Sequence, residues 1–340
     1  MKKVAEKAKL IAESIRQMGY DAVAVGDDDL SLGKEFLMEI SKETKVPFLS
    51  SNLLDEATGK PLFPTSLIKN SSGLRIGIFS LLGPDTFPNP NDPRRKGLLL
   101  RPPAEVAQAM VKELQPKTDW IILLSHLGYP KDVELAQALP GIQIIIGGHT
   151  GINLANPPII NKSLILQMAS KGLYGGILSL TLFNNDPHFF NTLEKRSMEV
   201  SLHQLKDRIS FSQVTEIETW LQSNLGPLSR MLHLFRLYQV PFPEEFIQNM
   251  RNLIASLKAK GPEKENPLRR KIKEEAEQIL QQFQGRNGFI HRLIALGDQI
   301  QGHPEIEKMV EAYRVKYPEP EQPPPPRQEA PRFQKGAPQN

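Results

Sequence analysis

The period of the apolar positions changes along this chain, and the changes divide it. In the opening stretch, MKKVAEKAKLIAESIRQMGY, Val4, Ala8, Ile11, Ile15 and Met18 fall at helical spacing, which predicts an amphipathic helix. From there to about residue 185, short runs rich in Ile, Leu and Val alternate with helical patterns. The runs at 21–26, 46–54, 74–83, 119–128, 141–150, 163–170 and 175–183 predict strands. The segments at 33–44, 103–114 and 131–139 predict helices, and DEATGKPLF (55–63) supplies a turn. Unbroken apolar runs mark strands covered on both faces, so the expected fold class is a layered α/β sandwich with a mixed, mostly parallel sheet.

Beyond residue 200 the pattern becomes helical. Val214, Ile217, Leu221 and Leu225 recur at helical spacing, as do Phe246, Met250, Leu253 and Leu257, then Leu268, Ile272, Ala276 and Ile279. The expectation for 208–317 is helical hairpins throughout, with GPEKENP (261–267) and QGRNG (284–288) as helix-to-helix loops. The final stretch, YPEPEQPPPPRQEAPRFQKGAPQN, reads as disordered or polyproline II. The expected organisation is an α/β domain over 1–200, a helical region over 201–317 closed by a helix at 303–317, and a Pro-rich tail over 318–340.

Composition narrows the function classes. Hydrophobic residues make up 39% of 340, enough for a sizeable core, and the net charge is a mild +4. There is no dense Lys/Arg face interleaved with aromatics, so no nucleic-acid partner is expected. The chain has no cysteine, which excludes disulfides, thiolate metal sites, cysteine nucleophiles and covalent c-type haem. No run reaches the ~18–20 apolar residues of a membrane helix, and the N-terminal segment lacks the apolar core of a signal peptide. These features leave the localisation open.

Polar residues gather where strands end. VGDDDLSLG places Asp27, Asp28 and Asp29 after one predicted strand, Ser125 and His126 end another, and Gly148 and His149 end a third. Layered α/β folds hold ligands beyond the carboxyl ends of their strands. Three successive aspartates repel one another unless something cationic sits among them. The other reading of Asp27–Asp29 is a cap on the following helix, where acids suit the N-terminal dipole.

In order, GDDDLSLGKEFL, VPFLSSNLLDEATGKPLF, LRIGIFSLLGPD, IILLSHLGYPKDVELAQALPGIQIIIGGHTG and LILQMASKGLYGGILSLTL resemble the 5′-nucleotidase-type (calcineurin-like) metallophosphoesterases. The matching family elements are GNHEFDxG, a Ser-His-Leu-Gly strand end, GGHTH, and a QAGxxGxxxG strand pair. The resemblance spans roughly residues 1–185, and HPEIEKMVEAYR (303–314) is similar to the helix that closes the family's catalytic domain. It implies a four-layer α/β sandwich with two divalent metals that hydrolyse phosphate monoesters such as nucleotides. Carried over, His126 and His149 match metal-binding histidines, and Asp27 stands at the family's ligand Asn.

The departures bear on activity. Asp28 occupies the position of the family's catalytic His, Ser31 replaces the Asp that orients it, and Gly151 replaces the second His of GGHTH. The family's opening strands, with an Asp-x-His pair and a Gly-Asp pair, would precede the helix at 4–19. Asp27, His126 and His149 suffice for at most one ion, Zn²⁺ or Mn²⁺, and not for a two-metal clamp. The resemblance thus implies a small phosphate ester as the partner of an impaired or inactive enzyme, with no haem and no nucleotide cofactor. The alternative is a scaffold that binds a protein through its helical region or Pro-rich tail.

Overall fold

The structure is a computed structural model that describes residues 2–169, 172–184, 186, 188–209, 213–237, 239–260, 266–297 and 299–318. The Pro-rich tail from 319 onward and most of the expected 261–267 loop therefore lie outside the described residues. The strands are β1 (Val23–Ala24), β2 (Phe48–Leu49), β3 (Leu53–Asp55), β4 (Ser66–Ser71), β5 (Leu74–Leu82), β6 (Leu98–Leu100) and β7 (Trp120–His126). They continue with β8 (Ile144–Gly147), β9 (Ile159–Ile160), β10 (Ser163–Gln167), β11 (Tyr174–Thr181), β12 (Phe189–Asn191) and β13 (Asn287–Ala295). The helices are α1 (Lys2–Met18), α2 (Lys34–Thr44), α3 (Pro103–Leu114), α4 (Tyr129–Ala138) and α5 (Thr192–Arg208). They are followed by α6 (Val214–Leu237), α7 (Phe246–Lys260), α8 (Pro267–Phe283) and α9 (Pro304–Lys316).

The central sheet has the order β4-β5-β7-β8-β10-β9. Its four inner strands are parallel and its two edges antiparallel, the mixed, mostly parallel sheet expected from the apolar runs. Register decides where the chemistry goes. Leu82 pairs with His126, Ser125 with Gly147, and Gly147 with Gln167, so β5, β7, β8 and β10 end flush along one sheet edge.

Four layers form. One face of the central sheet buries Phe79, Leu123, Ile145 and Ile165 against Val106, Ala107 and Val111 of α3 and Leu135 and Ala136 of α4. The other face presents Trp120, Ile144, Leu164 and Leu166 to Phe189, Leu178 and Phe289 of a second, three-stranded sheet. In β12, Phe189 points into that inter-sheet core while Phe190, one residue on, joins the core of the helices α5–α8. The two-residue side-chain period of a strand thereby makes β12 the joint between sandwich and helices. A separate cluster around Ala12, Val25, Leu37, Ile40 and Phe48 packs α1 and α2 against β1 and β2.

Several expectations are corrected. The region 208–317 is not wholly helical: β13 runs through it and is the middle strand of the order β11-β13-β12. The QGRNG segment therefore leads from α8 into a strand, not into another helix. The segment NGFIHRLIA has the alternation of a strand, with Phe289 in the inter-sheet core and Ile294 on the exposed face, and it pairs with β11 from Gly288 to Ala295. The run 46–54 breaks into β2 and β3, because Ser50, Ser51 and Asn52 bend between them and hydrogen-bond Pro64, Thr65, Ser80, Leu82 and Arg101. The α1 stripe is only half used. Ala12 is buried with Ala8 and Ile15 packed beside it, while Val4, Ile11 and Met18 are more than half exposed. Helix α9 packs beside α1, with its Lys316 paired to Glu6 at 2.6 Å. Among the described residues no helix is long and apolar enough to cross a membrane.

Candidate functional site

Asp27 follows β1, His126 ends β7, and His149 follows β8 across the Gly147-Gly148 pair. The structure brings these three together. His126 Nε2 lies 2.9 Å from Asp27 Oδ1, and His149 Nδ1 lies 3.9 Å from the same oxygen. The imidazole centroids are 5.2 Å apart at 64°. One ligand atom from each residue lies within 4.8 Å of the others, and among the described residues this is the one such group. Donor atoms around a tetrahedral ion at ~2.1 Å sit ~3.4 Å apart, between the two spacings seen here, so a small adjustment converts the cluster into a metal site. Two neutral imidazole nitrogens and a carboxylate oxygen suit borderline divalent ions. The residues present fit one ion.

The surroundings fix these side chains. The His126 ring fills the space that a side chain at residue 26 would take: a Cβ on Gly26 would lie 2.9 Å from His126 Cε1. His149 adopts φ 70°, a left-handed conformation uncommon outside glycine, which aims its ring back over the strand ends. Gln167 holds that turn, its Nε2 donating to Thr150 Oγ1 at 2.7 Å and to the Gly148 carbonyl at 3.3 Å.

The aspartate run divides by role. Asp27 is buried, and its side chain makes no cap hydrogen bond. Asp29 turns back to accept from Gly26 N–H at 2.7 Å. Asp28 has a side chain 95% exposed, and it does not join the two histidines. A carboxylate flanked by two others is held away from them toward water.

The cation that Asp27 and Asp28 require is Arg94, which sequence reasoning missed. Its NH1 donates to Asp27 Oδ2 at 2.8 Å and to Asp28 Oδ1 at 2.9 Å, while Nε and NH2 grip both oxygens of Asp92 at 3.0 Å. The guanidinium also lies 5.4 Å over the Phe87 ring. These contacts raise the Arg94 pKa further and hold the Asp92 carboxyl below its usual range. Nothing in local spacing places a DPRRKG loop against a residue 67 positions earlier.

Behind the site lies a second polar network. Asp132 of α4 is fully buried and accepts from Ser125 Oγ. Its Oδ2 and Gln167 Oε1 are both buried without a partner, and both face the gap left by the missing side chain of Gly147. Burial pushes the Asp132 carboxyl up to about 7, against a smaller lowering by the Ser125 hydroxyl. A protonated Oδ2 carries no charge into this buried place. A Cβ on Gly147 would lie 2.5 Å from that Oδ2. Gly147→Ala is expected to cost about 2 kcal/mol in urea unfolding by overpacking. Gly175→Ala, whose Cβ would meet Leu296 at 3.7 Å, should change stability by less than about 0.5 kcal/mol. Equal costs for the two would refute the close approach.

The chain is 28% identical over 258 residues to a 5′-nucleotidase of Vibrio cholerae, covering 67% of this chain and 45% of that protein. It is 34% identical over 148 residues to Protein UshA of Escherichia coli, covering 39% and 27% of the two chains. A solved 5′-nucleotidase precursor of Thermus thermophilus aligns with TM-score 0.46 and 28% identity, covering 53% of this chain and 39% of that one. No family model matches the sequence. The chain spans less than half the length of these curated relatives. The chain that carries this layered α/β fold and the strand-end Asp27, His126 and His149 is thus similar in sequence to proteins named 5′-nucleotidase and UshA.

Proposed function

We propose that the Asp27–His126–His149 cluster takes one divalent cation, Zn²⁺ or Mn²⁺, and that this chain hydrolyses phosphate monoesters such as nucleotides poorly or not at all. The observation that carries the reading is the division of Asp27: Oδ1 faces the two imidazoles and Oδ2 is taken by Arg94. A divalent ion bound there supplies Lewis-acid polarisation of a phosphate oxygen. Asp27 orients His126 by its hydrogen bond, and the Gln167-braced turn positions His149. Asp28 presents a negative charge where a phosphoryl group would approach. Arg94 spends four hydrogen bonds on three carboxylates and is not free to receive a phosphate. Removing one preorganised donor typically costs ~10²–10³ in rate, and reversing its charge costs at least as much.

The test is an assay of the chain with a generic aryl phosphate and with AMP, each supplied with Mn²⁺ or Zn²⁺. No turnover above background is expected. Metal-dependent turnover abolished by His126→Ala would overturn the reading. The alternative, a non-catalytic scaffold on the same fold, is supported by the same Arg94 contacts, because they compensate the acids without an ion. In that case a chelator leaves the thermal midpoint unchanged.

A further inference from the structure

Arg94 sits on the loop between β5 and β6, outside every motif of the family resemblance, yet it has the most elaborate set of polar contacts at the site. Its side chain is only 18% exposed. Asp92, Asp27 and Asp28 surround the guanidinium, and Phe87 supports one face. Three carboxylates against one guanidinium leave a net charge of −2 there. An arginine held by a bidentate grip on Asp92 cannot drift away as a mobile counter-ion does.

We propose that Arg94 is a tethered counter-cation that sets the affinity and metal preference of the Asp27–His126–His149 site. With Arg94 seated, an incoming ion meets two nitrogens and the single oxygen Oδ1, a set that favours Zn²⁺. The guanidinium also repels the ion from the far side of the same carboxylate. Without the guanidinium, Asp27 Oδ2 and the neighbouring Asp28 become available, and the added oxygens shift preference toward Mn²⁺. Loss of a positive charge in contact with a ligand carboxylate raises affinity for any divalent ion by at least about tenfold at the effective dielectric of a partly buried pair. The proposal rests on the one-cation reading of the site.

The experiment is calorimetric titration of the full chain with Mn²⁺ and with Zn²⁺, for wild type, Arg94→Met and Arg94→Lys, each with and without His126→Ala. Arg94→Met keeps an apolar stem over Phe87 and loses the charge. It is expected to bind Mn²⁺ at least about tenfold more tightly than wild type, with a smaller gain for Zn²⁺. Arg94→Lys retains the charge without the bidentate grip on Asp92, and its affinity should fall between those of wild type and Arg94→Met. Arg94→Met with wild-type affinity, or with no binding at all, overturns the proposal. Binding by wild type that His126→Ala leaves intact overturns the one-cation reading instead. Binding that appears only on loss of Arg94 overturns that reading while supporting the role of Arg94. If Arg94→Met does not fold, Arg94→Gln, which keeps donors without the charge, carries the same comparison.

Discussion

Asp132→Asn should be more stable than wild type at pH 8 and should lose that advantage at pH 4.5. The Asp132 carboxyl titrates near 7 in the folded chain, against an ordinary value of 3.8, because burial disfavours its charged form. Between those values the folded chain holds a proton that the unfolded chain releases. Stability from this group is therefore complete below pH 3.8 and is lost as pH rises to about 7. Asparagine carries no proton to lose, and its neutral amide suits the same burial. From pH 4.5 to 8 the wild type should lose roughly 3 kcal/mol relative to Asp132→Asn, at 1.36 kcal/mol per pH unit up to the folded pKa. Urea unfolding of both proteins across that range measures the difference, and a difference independent of pH would refute the assignment. Other carboxylates pull the opposite way, which is why the comparison is with the variant. Lys34, for example, holds Asp55 down to about 2.

Phe190→Ala should cost about 4 kcal/mol and should shift a single unfolding transition that is common to sheet and helices. Phe190 is fully buried, with Phe235 of α6 at 5.4 Å and Phe283 of α8 at 6.4 Å between ring centroids. Truncating such a ring leaves a cavity in addition to the lost burial, typically 3–5 kcal/mol together, so about 4 kcal/mol is the central expectation. The common transition follows from topology. Helices α5–α8 lie between β12 and β13 in the chain, and β13 is the middle strand of its sheet, so loss of the helical core frees the strand that joins β11 to β12. Far-ultraviolet dichroism and the fluorescence of Trp120, which packs on Phe189, report helices and sheet separately once Trp220 of α6 is replaced by Phe. Two separated transitions, or a cost under about 1 kcal/mol, would show that the helices fold apart from the sandwich.

The parallel strands were legible because each is covered on both faces, and a strand so covered leaves a continuous apolar run in the sequence. The ends of those runs also marked Asp27, His126 and His149, since residues just past a buried strand are the first free to be polar. β13 was harder to read. Its apolar positions follow a long helical stretch, and only the open slot between β11 and β12 decides that NGFIHRLIA pairs as a strand. Ser50–Asn52 look like part of one strand until their partners on other segments are known.

The sequence by itself determined the α/β order, the helical stretch after residue 200 and the trio of donors on separate strand ends. Only the tertiary structure decided what neutralises the aspartates and what supports the histidines. Asp27 and Arg94 lie 67 positions apart, and their 2.8 Å contact depends on how the loop after β5 folds over the sheet edge. Asp132 belongs to an ordinary amphipathic helix by its pattern, and its raised pKa comes wholly from burial against β7. Periodicity records which face of an element is covered. Charge and protonation depend on which atoms from distant segments share the space beneath it, and local pattern does not carry that information.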